Sequence, residues 1–326
     1  MKLNESKYKQ VVNYVIEGIN EGLFKKGDWI PSINEFRKKY NLSRDTVFAG
    51  ISELKSKGII DSTPGVGYYV TSTRFSSKYK ILLLFNEFNE FKEELYNSFI
   101  ENLDKTSTVE LYFHNYNRKV FETLIHDANG KYTTYILMPG KFLNLDPLLQ
   151  SISGKVFLLD HCHTDLKGRY SSVTQNFEKD TYEALKFGST HIINKYKRIF
   201  MVQSEAKEPY ERYNGLQKFC KEYNLEHKYL NSISGKKIKD GDLFLLVNDR
   251  DLVDVLKQAE KQNLIPGQEF GIISYNDTPL KEILAGGITT LSTDFKLMGK
   301  TMASLISKKG TETFENPWIL NIRKSL

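Results

Sequence analysis

Residues 43–46, Ser-Arg-Asp-Thr, set a guanidinium between two hydroxyl side chains where a helical run begins. Arg44 carries a planar fork of donors, the group that best matches the O6 and N7 edge of a guanine. Ser43 and Thr46 can bond phosphates or base edges. Lys38, Lys39, Lys55 and Lys57 supply point charges for a phosphate backbone. Gly65 and Gly67 flank Val66 and lack the Cβ that would hold a loop tip away from a groove. This is chemistry for holding nucleic acid. It requires a helix start and a hairpin tip held within one small domain.

The flanking sequence supplies those elements. Val11, Val12, Val15, Ile16 and Ile19 form an apolar stripe, predicting a helix from Lys7 to about Glu21. Pro31 disfavours helical geometry at Ile30, so the chain enters the next element extended. Ser32 and Glu35 form an S-x-x-E capping box, and Ser43 is a second N-cap. Val47, Ile51 and Leu54 follow Ser43 at helical spacing, and Gly58 suits the position past that helix. Ile59-Ile60 and Tyr68-Tyr69-Val70 read as strands around a Pro64–Gly67 turn. Helix, helix, helix and hairpin in this order make a winged helix-turn-helix.

Residues 7–70 resemble the GntR family of bacterial transcription regulators. The resemblance rests on Ile19, Gly22, Gly27, Ile30-Pro31-Ser32, Glu35-Phe36, Leu42-Ser43-Arg44-Asp45-Thr46-Val47 and Gly65-Val66-Gly67-Tyr68-Tyr69-Val70. The family commonly has arginine at the position of Asn34 and often a basic residue at that of Phe48. Those departures bear on which operator is bound. Ser32, Lys38, Ser43, Arg44, Asp45, Thr46, Gly65 and Gly67 are the candidate DNA-contacting set.

Charge follows the same division. Residues 1–79 hold 13 lysines and arginines against 8 aspartates and glutamates, so nearly all of the chain's net +6 falls there. A length of 326 residues implies more than one core. No apolar run approaches the roughly 20 residues of a membrane span, and Met1–Glu5 lacks a signal-peptide core. Two cysteines, Cys162 and Cys220, fit a reducing compartment, so a cytoplasmic location is expected. The hydroxyl-rich stretch Thr71–Ser77 reads as a linker.

From residue 80 the pattern changes to α/β. Ile81–Phe85 is a continuous apolar run, as in a strand buried on both faces. Helices are predicted near 91–103, 120–128, 147–152, 177–196, 210–223 and 252–262. Strands are predicted near 109–114, 135–138, 156–160, 198–202, 243–247 and 270–274. Two runs of strand–helix alternation, broken near 165–175, predict two Rossmann-like lobes with ligands at the strand carboxyl ends.

This region resembles the sensor domain of LacI-type repressors, which share the fold of periplasmic sugar-binding proteins. The resemblance lies in Arg212-Tyr213-Asn214-Gly215-Leu216, Leu246-Val247-Asn248-Asp249, Gly271–Asp277, Ile288-Thr289-Thr290-Leu291 and Leu320–Ser325. GntR-type heads on LacI-type sensors form a known subgroup typified by arabinose-responsive repressors. The resemblance implies an effector site of Arg212, Asn248, Asn276 (where relatives carry an acid) and Asp160. Asn86, Glu87 and Phe88 of the first-strand loop add acceptors and a ring. Such groups suit a neutral polyol.

Other chemistry is sparse. Asp160-His161-Cys162-His163 places two imidazoles on one face of an extended segment, but no complementary pair suggests a metal site. There is no Walker A sequence, G-x-S-x-G elbow or dinucleotide fingerprint. No catalytic residue, metal or cofactor is expected. The expected organisation is a winged helix-turn-helix over 1–72, a linker over 73–79 and a two-lobed periplasmic-binding-protein-like domain over 80–326. Lobe 1 takes about 80–174 and 289–310, and lobe 2 about 175–288 and 311–326. The expected function is a homodimeric repressor of sugar-utilisation genes. It binds a near-palindromic operator and answers to a pentose, hexose or deoxyhexose. The alternatives are a purine or sugar-phosphate sensor, or an inert dimerisation module.

Overall fold

The computed structural model describes residues 7–73, 79–161, 163, 165–204, 209–308 and 310–326. The readings made on Met1–Glu5, Cys162 and the centre of the linker lie outside the described residues. The chain divides into two compact units, a head and a larger unit beginning at Ile81.

The head comprises α1 (Lys9–Asn20), α2 (Ile33–Tyr40), α3 (Arg44–Ser56) and the hairpin β1 (Ile60–Thr63) and β2 (Gly67–Val70). Its caps form as local chemistry dictates. Ser32 Oγ accepts from the Glu35 amide at 3.3 Å while Glu35 Oε2 accepts from the Ser32 amide at 2.7 Å. That reciprocal bond holds the Glu35 carboxyl below its usual range. Ser43 Oγ accepts from the Thr46 amide at 3.2 Å. Val11, Val15, Phe36, Val47, Ile51, Leu54 and Val70 bury against one another as the core. The hairpin pairs Ile60 with Val70 and Thr63 with Gly67. The extended entry before α2 adds to the wing, since the Ile30 amide donates to Tyr68 O and the Val70 amide to Asp28 O. Thr71, first of the expected linker, is tied to this unit through Gly58 O.

The second unit runs β3 (Lys80–Phe85), α4 (Glu90–Asn102), β4 (Thr108–Phe113), α5 (Arg118–Ala128), β5 (Thr134–Leu137), α6 (Asp146–Gln150), β6 (Lys155–Asp160) and β7 (Ser171–Thr174). It continues α7 (Phe177–Phe187), α8 (Ser189–Ile192), β8 (Arg198–Val202), α9 (Glu211–Glu222), β9 (Glu226–Leu230), β10 (Asp242–Leu246), α10 (Asp249–Lys261), β11 (Gly271–Tyr275) and α11 (Pro279–Ile283). It closes with β12 (Thr289–Thr293), α12 (Phe295–Ile306), β13 (Thr313–Glu315) and β14 (Trp318–Asn321). One sheet has the order β13-β7-β6-β5-β3-β4, the other β14-β12-β11-β10-β8-β9. The helix predicted over 177–196 is two helices, because α7 ends at Gly188.

The chain changes lobe after β7, after β12 and after β13. This differs from the expected boundaries. Thr289–Thr293 pairs with β11 in the second sheet, whereas Thr313–Glu315 pairs with β7 in the first. Helix α12 returns to the first lobe and packs on α4, where Ser98 Oγ donates to Lys296 O at 2.7 Å.

Glycine sets the closest helix approach in the second lobe. A Cβ on Gly215 of α9 would lie 2.2 Å from Glu178 O and 2.9 Å from Thr181 Cβ of α7. Gly215→Ala must push the helices apart and should cost about 1–3 kcal/mol. Urea unfolding checks this; an unchanged midpoint would contradict the packing.

Candidate functional site

Two regions collect the chemistry. On the head, Arg44 opens α3 and is exposed, with Asp45 beside it. Ser32, Lys38 and Ser43 are also exposed and Thr46 is half-buried. Ser43 and Thr46 are joined hydroxyl to hydroxyl at 2.7 Å, which fixes the start of α3. Gly65 has φ +77°, a conformation that only glycine adopts without strain, and it shapes the hairpin tip. Several lysines of this surface have internal work. Lys39 lies 3.6 Å over the Tyr14 ring, Lys55 pairs with Asp61 at 3.0 Å, and Lys57 pairs with Glu53 at 2.5 Å.

The second region is a cleft where the strand ends of the two sheets face each other. About 580 Å³ of space, part of it open to solvent, is lined by Asn86, Glu87, Asp160, Arg212 and Asn276 of the expected effector set.

Asp160 ends β6 with φ +74° and is 8% exposed. Its Oδ2 accepts from Lys92 Nζ at 2.6 Å and its Oδ1 from Gln175 Nε2 at 2.5 Å. Burial would raise its pKa, but the Lys92 charge and the bonds from Lys92 and Gln175 outweigh this and hold the carboxyl below its usual range. Arg212, in the first turn of α9, is 6% exposed, its guanidinium 4.6 Å from the Phe177 ring centre and 4.7 Å from that of Tyr275. The two rings hold the plane of the guanidinium. Asn276 has φ +59° and sits on a turn held from below by Lys281. The Lys281 ammonium, 2% exposed, donates to Tyr275 O at 2.7 Å and Asn276 O at 2.8 Å and pairs with Asp249 at 2.7 Å. Asn86 Oδ1 accepts from the Glu87 amide at 2.9 Å, and Asn89 caps α4.

Asn248 and Phe88 of the expected set are not among the residues lining this cleft. Asn248 caps α10, accepting from the Asp251 amide and donating to Ser204 Oγ at 2.9 Å and Asp251 Oδ2 at 2.8 Å. Phe88 is 51% exposed and packs edge-on against Phe113. Its place as an aromatic wall is taken by Phe91 and Phe295, stacked at 5.7 Å, together with Phe177. Sequence reading missed these, and also Lys92 and Gln175. Lys92 lies among glutamates on α4 and reads as solvated. Asp277, beside Asn276, is engaged elsewhere: Arg323 grips both its oxygens at 2.8 and 2.7 Å, pinning the C-terminal segment.

The imidazoles of His161 and His163 lie 4.6 Å apart, as the alternating spacing predicted, and both donate to Gly140 O. Burial lowers the His161 pKa, keeping it neutral. Among the described residues no group of three His, Cys, Asp or Glu side chains is placed to hold a metal ion. Cys220 is buried and unpaired, its thiol pushed up to about 12 by desolvation. No helix among the described residues is long and apolar enough to cross a membrane.

Comparison with known proteins follows the same division. Residues 7–70 match the profile of "Bacterial regulatory proteins, gntR family" and residues 190–314 that of "Periplasmic binding protein-like domain". The "Uncharacterized HTH-type transcriptional regulator YcxD" of Bacillus subtilis (strain 168) is 31% identical over 72 residues, covering 22% of this chain and 16% of that protein. The "Probable fructoselysine utilization operon transcriptional repressor" of Escherichia coli (strain K12) is 31% identical over 84 residues, 26% of this chain and 33% of that one. The chain thus spans a third or less of the length of these relatives. Among solved structures, a periplasmic binding protein/LacI transcriptional regulator from Alkaliphilus metalliredigens QYMF, complexed with D-xylulofuranose, superposes with a TM-score of 0.60 at 14% identity. It covers 76% of this chain and 98% of its own, a likeness of fold.

Two outcomes follow from the cleft. Lys92→Met leaves the Asp160 charge buried without its cation and should cost about 3–5 kcal/mol. The double variant with Asp160→Asn should recover most of that loss, measured by urea unfolding; an equally damaged double variant would contradict the pairing. Burial, with a contribution from Glu315, raises the Asp180 carboxyl in the first turn of α7 to about 7. A folded value above the unfolded one near 3.9 makes the neutral form the stabilised one. The penalty is absent below the unfolded value and complete above about 7. Asp180→Asn should therefore raise the melting temperature more at pH 8 than at pH 5, and an equal rise at both would contradict the shift.

Proposed function

We propose that this chain, which joins a GntR-family winged helix-turn-helix to a periplasmic-binding-protein-like domain, is a transcription regulator. On this reading it works in the cytoplasm and represses sugar-utilisation genes, with its operator affinity set by a small neutral monosaccharide held between the lobes. One observation carries the reading: Asn86, Glu87, Asp160, Arg212 and Asn276, far apart in sequence, line a single cleft in a chain that also carries a winged head. Carboxylates, primary amides and an oriented guanidinium offer donors and acceptors at fixed angles, as vicinal hydroxyls require. Phe91, Phe177 and Phe295 add apolar surface to the wall, against which the C–H groups of a sugar can pack.

A purine is less well served. Phe91 stacks on Phe295, and Arg212 covers Phe177, so these rings form walls instead of two faces about a slot. A sugar phosphate is the second reading. Lys92, Lys141 and Arg212 outnumber Glu87 and Asp160 in the lining, and an anionic group would balance them.

The regulator acts as a homodimer on a near-palindromic operator, each head presenting α3 to a major groove. The sugar acts through a difference in its affinity for two lobe arrangements, since only such a difference moves an equilibrium.

Two experiments test this. Melting temperature is measured against pentoses, hexoses, deoxyhexoses, their phosphates and nucleobases. One sugar at about 100 times its dissociation constant should stabilise by about 2.7 kcal/mol. Arg212→Ala should abolish that shift while leaving DNA binding intact; no shift with any sugar or phosphate would refute the sensor reading. In the head, Arg44→Ala should weaken binding to the preferred DNA by about 1–3 kcal/mol and should cost much less on a duplex whose contacted guanine is already replaced, as gel-shift titration would read.

A further inference from the structure

The outward side of α3 carries an unexpected residue. Val47, Ile51 and Leu54 face the core and are fully buried. On the opposite side Arg44, Phe48, Ser52 and Lys55 follow one another at intervals of four, four and three, which is one stripe of a helix. All four are exposed, and Phe48 is 55% exposed although the other phenylalanine of the two helices, Phe36, is completely buried. A phenyl ring in the centre of a polar, basic stripe adds nothing to the head's own core. Covering it with a partner's apolar surface is favourable. Lys55 of the stripe is already paired with Asp61, so the partner must meet the exposed guanidinium of Arg44 beside the ring: it is a hydrogen-bonding, electron-rich surface with an isolated apolar group. A DNA major groove fits this description, and the apolar group it presents is the 5-methyl of thymine.

We propose that Phe48 reads a thymine in each operator half-site by contact with its 5-methyl group. The inference rests on the reading of the head as DNA-binding and deepens it by naming a base. Phe48 lies one turn beyond Arg44, about 6 Å along the axis. With base steps of about 3.4 Å, the thymine stands about two base pairs from the guanine that Arg44 engages. A phenyl ring has neither donor nor acceptor, so the discrimination comes from the methyl group alone. Uracil, identical to thymine in its polar edge, should be read as a poor substitute.

The test uses the full chain. Its preferred duplex is selected from a random library, and each thymine is replaced in turn by deoxyuridine. One position per half-site should weaken binding about three- to five-fold, as expected for one methyl removed from contact. Phe48→Ala, its melting temperature unchanged because the ring is off the core, should bind thymine and uracil duplexes equally. Phe48→Leu should retain part of the preference. A selected duplex with no uracil-sensitive position, or a sensitivity that survives in Phe48→Ala, would overturn the inference and leave DNA binding standing. Failure to enrich any sequence would overturn the DNA-binding reading and this inference with it.

Discussion

A buried charge fixes the centre of the cleft. Asp160 ends a strand of the first lobe in a left-handed conformation, an unfavourable placement for an ionised group unless its charge is matched. Lys92 supplies the match at 2.6 Å from α4, and Gln175 supplies a second donor from the segment where the chain leaves for the second lobe. One carboxylate is thereby tied to a helix of its own lobe and to the crossover. Both oxygens keep lone pairs, so a ligand hydroxyl can add to the cluster without displacing it.

The neighbouring groups are held by similar supports from behind. Lys281 closes the turn that presents Asn276, and two rings flank Arg212. Arg323 occupies Asp277, leaving Asn276 as the residue that faces the cleft. These side chains are set before a ligand arrives, which lowers the ordering cost of binding. The head is set in the same way: two caps fix the starts of α2 and α3.

Local chemistry was legible in the sequence. The capping box at Ser32, the Ser43 cap and the hairpin around Gly65 depend on residues within a few positions of each other. The strands buried on both faces showed as unbroken apolar runs, β3 above all. Elements that bury polar side chains or sit at an edge did not show. β7 is Ser-Ser-Val-Thr, wholly buried yet hydroxyl-rich, and β9 is an edge strand with charged residues outward. The exchange of β12 and β13 between lobes has no local signal, since each strand is chosen by partners far away in the chain. The same reason hid Lys92, Gln175 and Phe295. Asn248 shows a different ambiguity: an asparagine at a strand end serves a ligand or a helix start equally well in sequence, and its side chain caps α10.

The central claim is that the cleft and the head act on one equilibrium. The most direct test takes the sugar giving the largest melting shift and measures operator affinity with and without it, then sugar affinity with and without operator. The account predicts the same factor in both measurements, because coupling between two binding sites is reciprocal. A sugar that binds the full-length protein tightly and leaves operator affinity unchanged would contradict it.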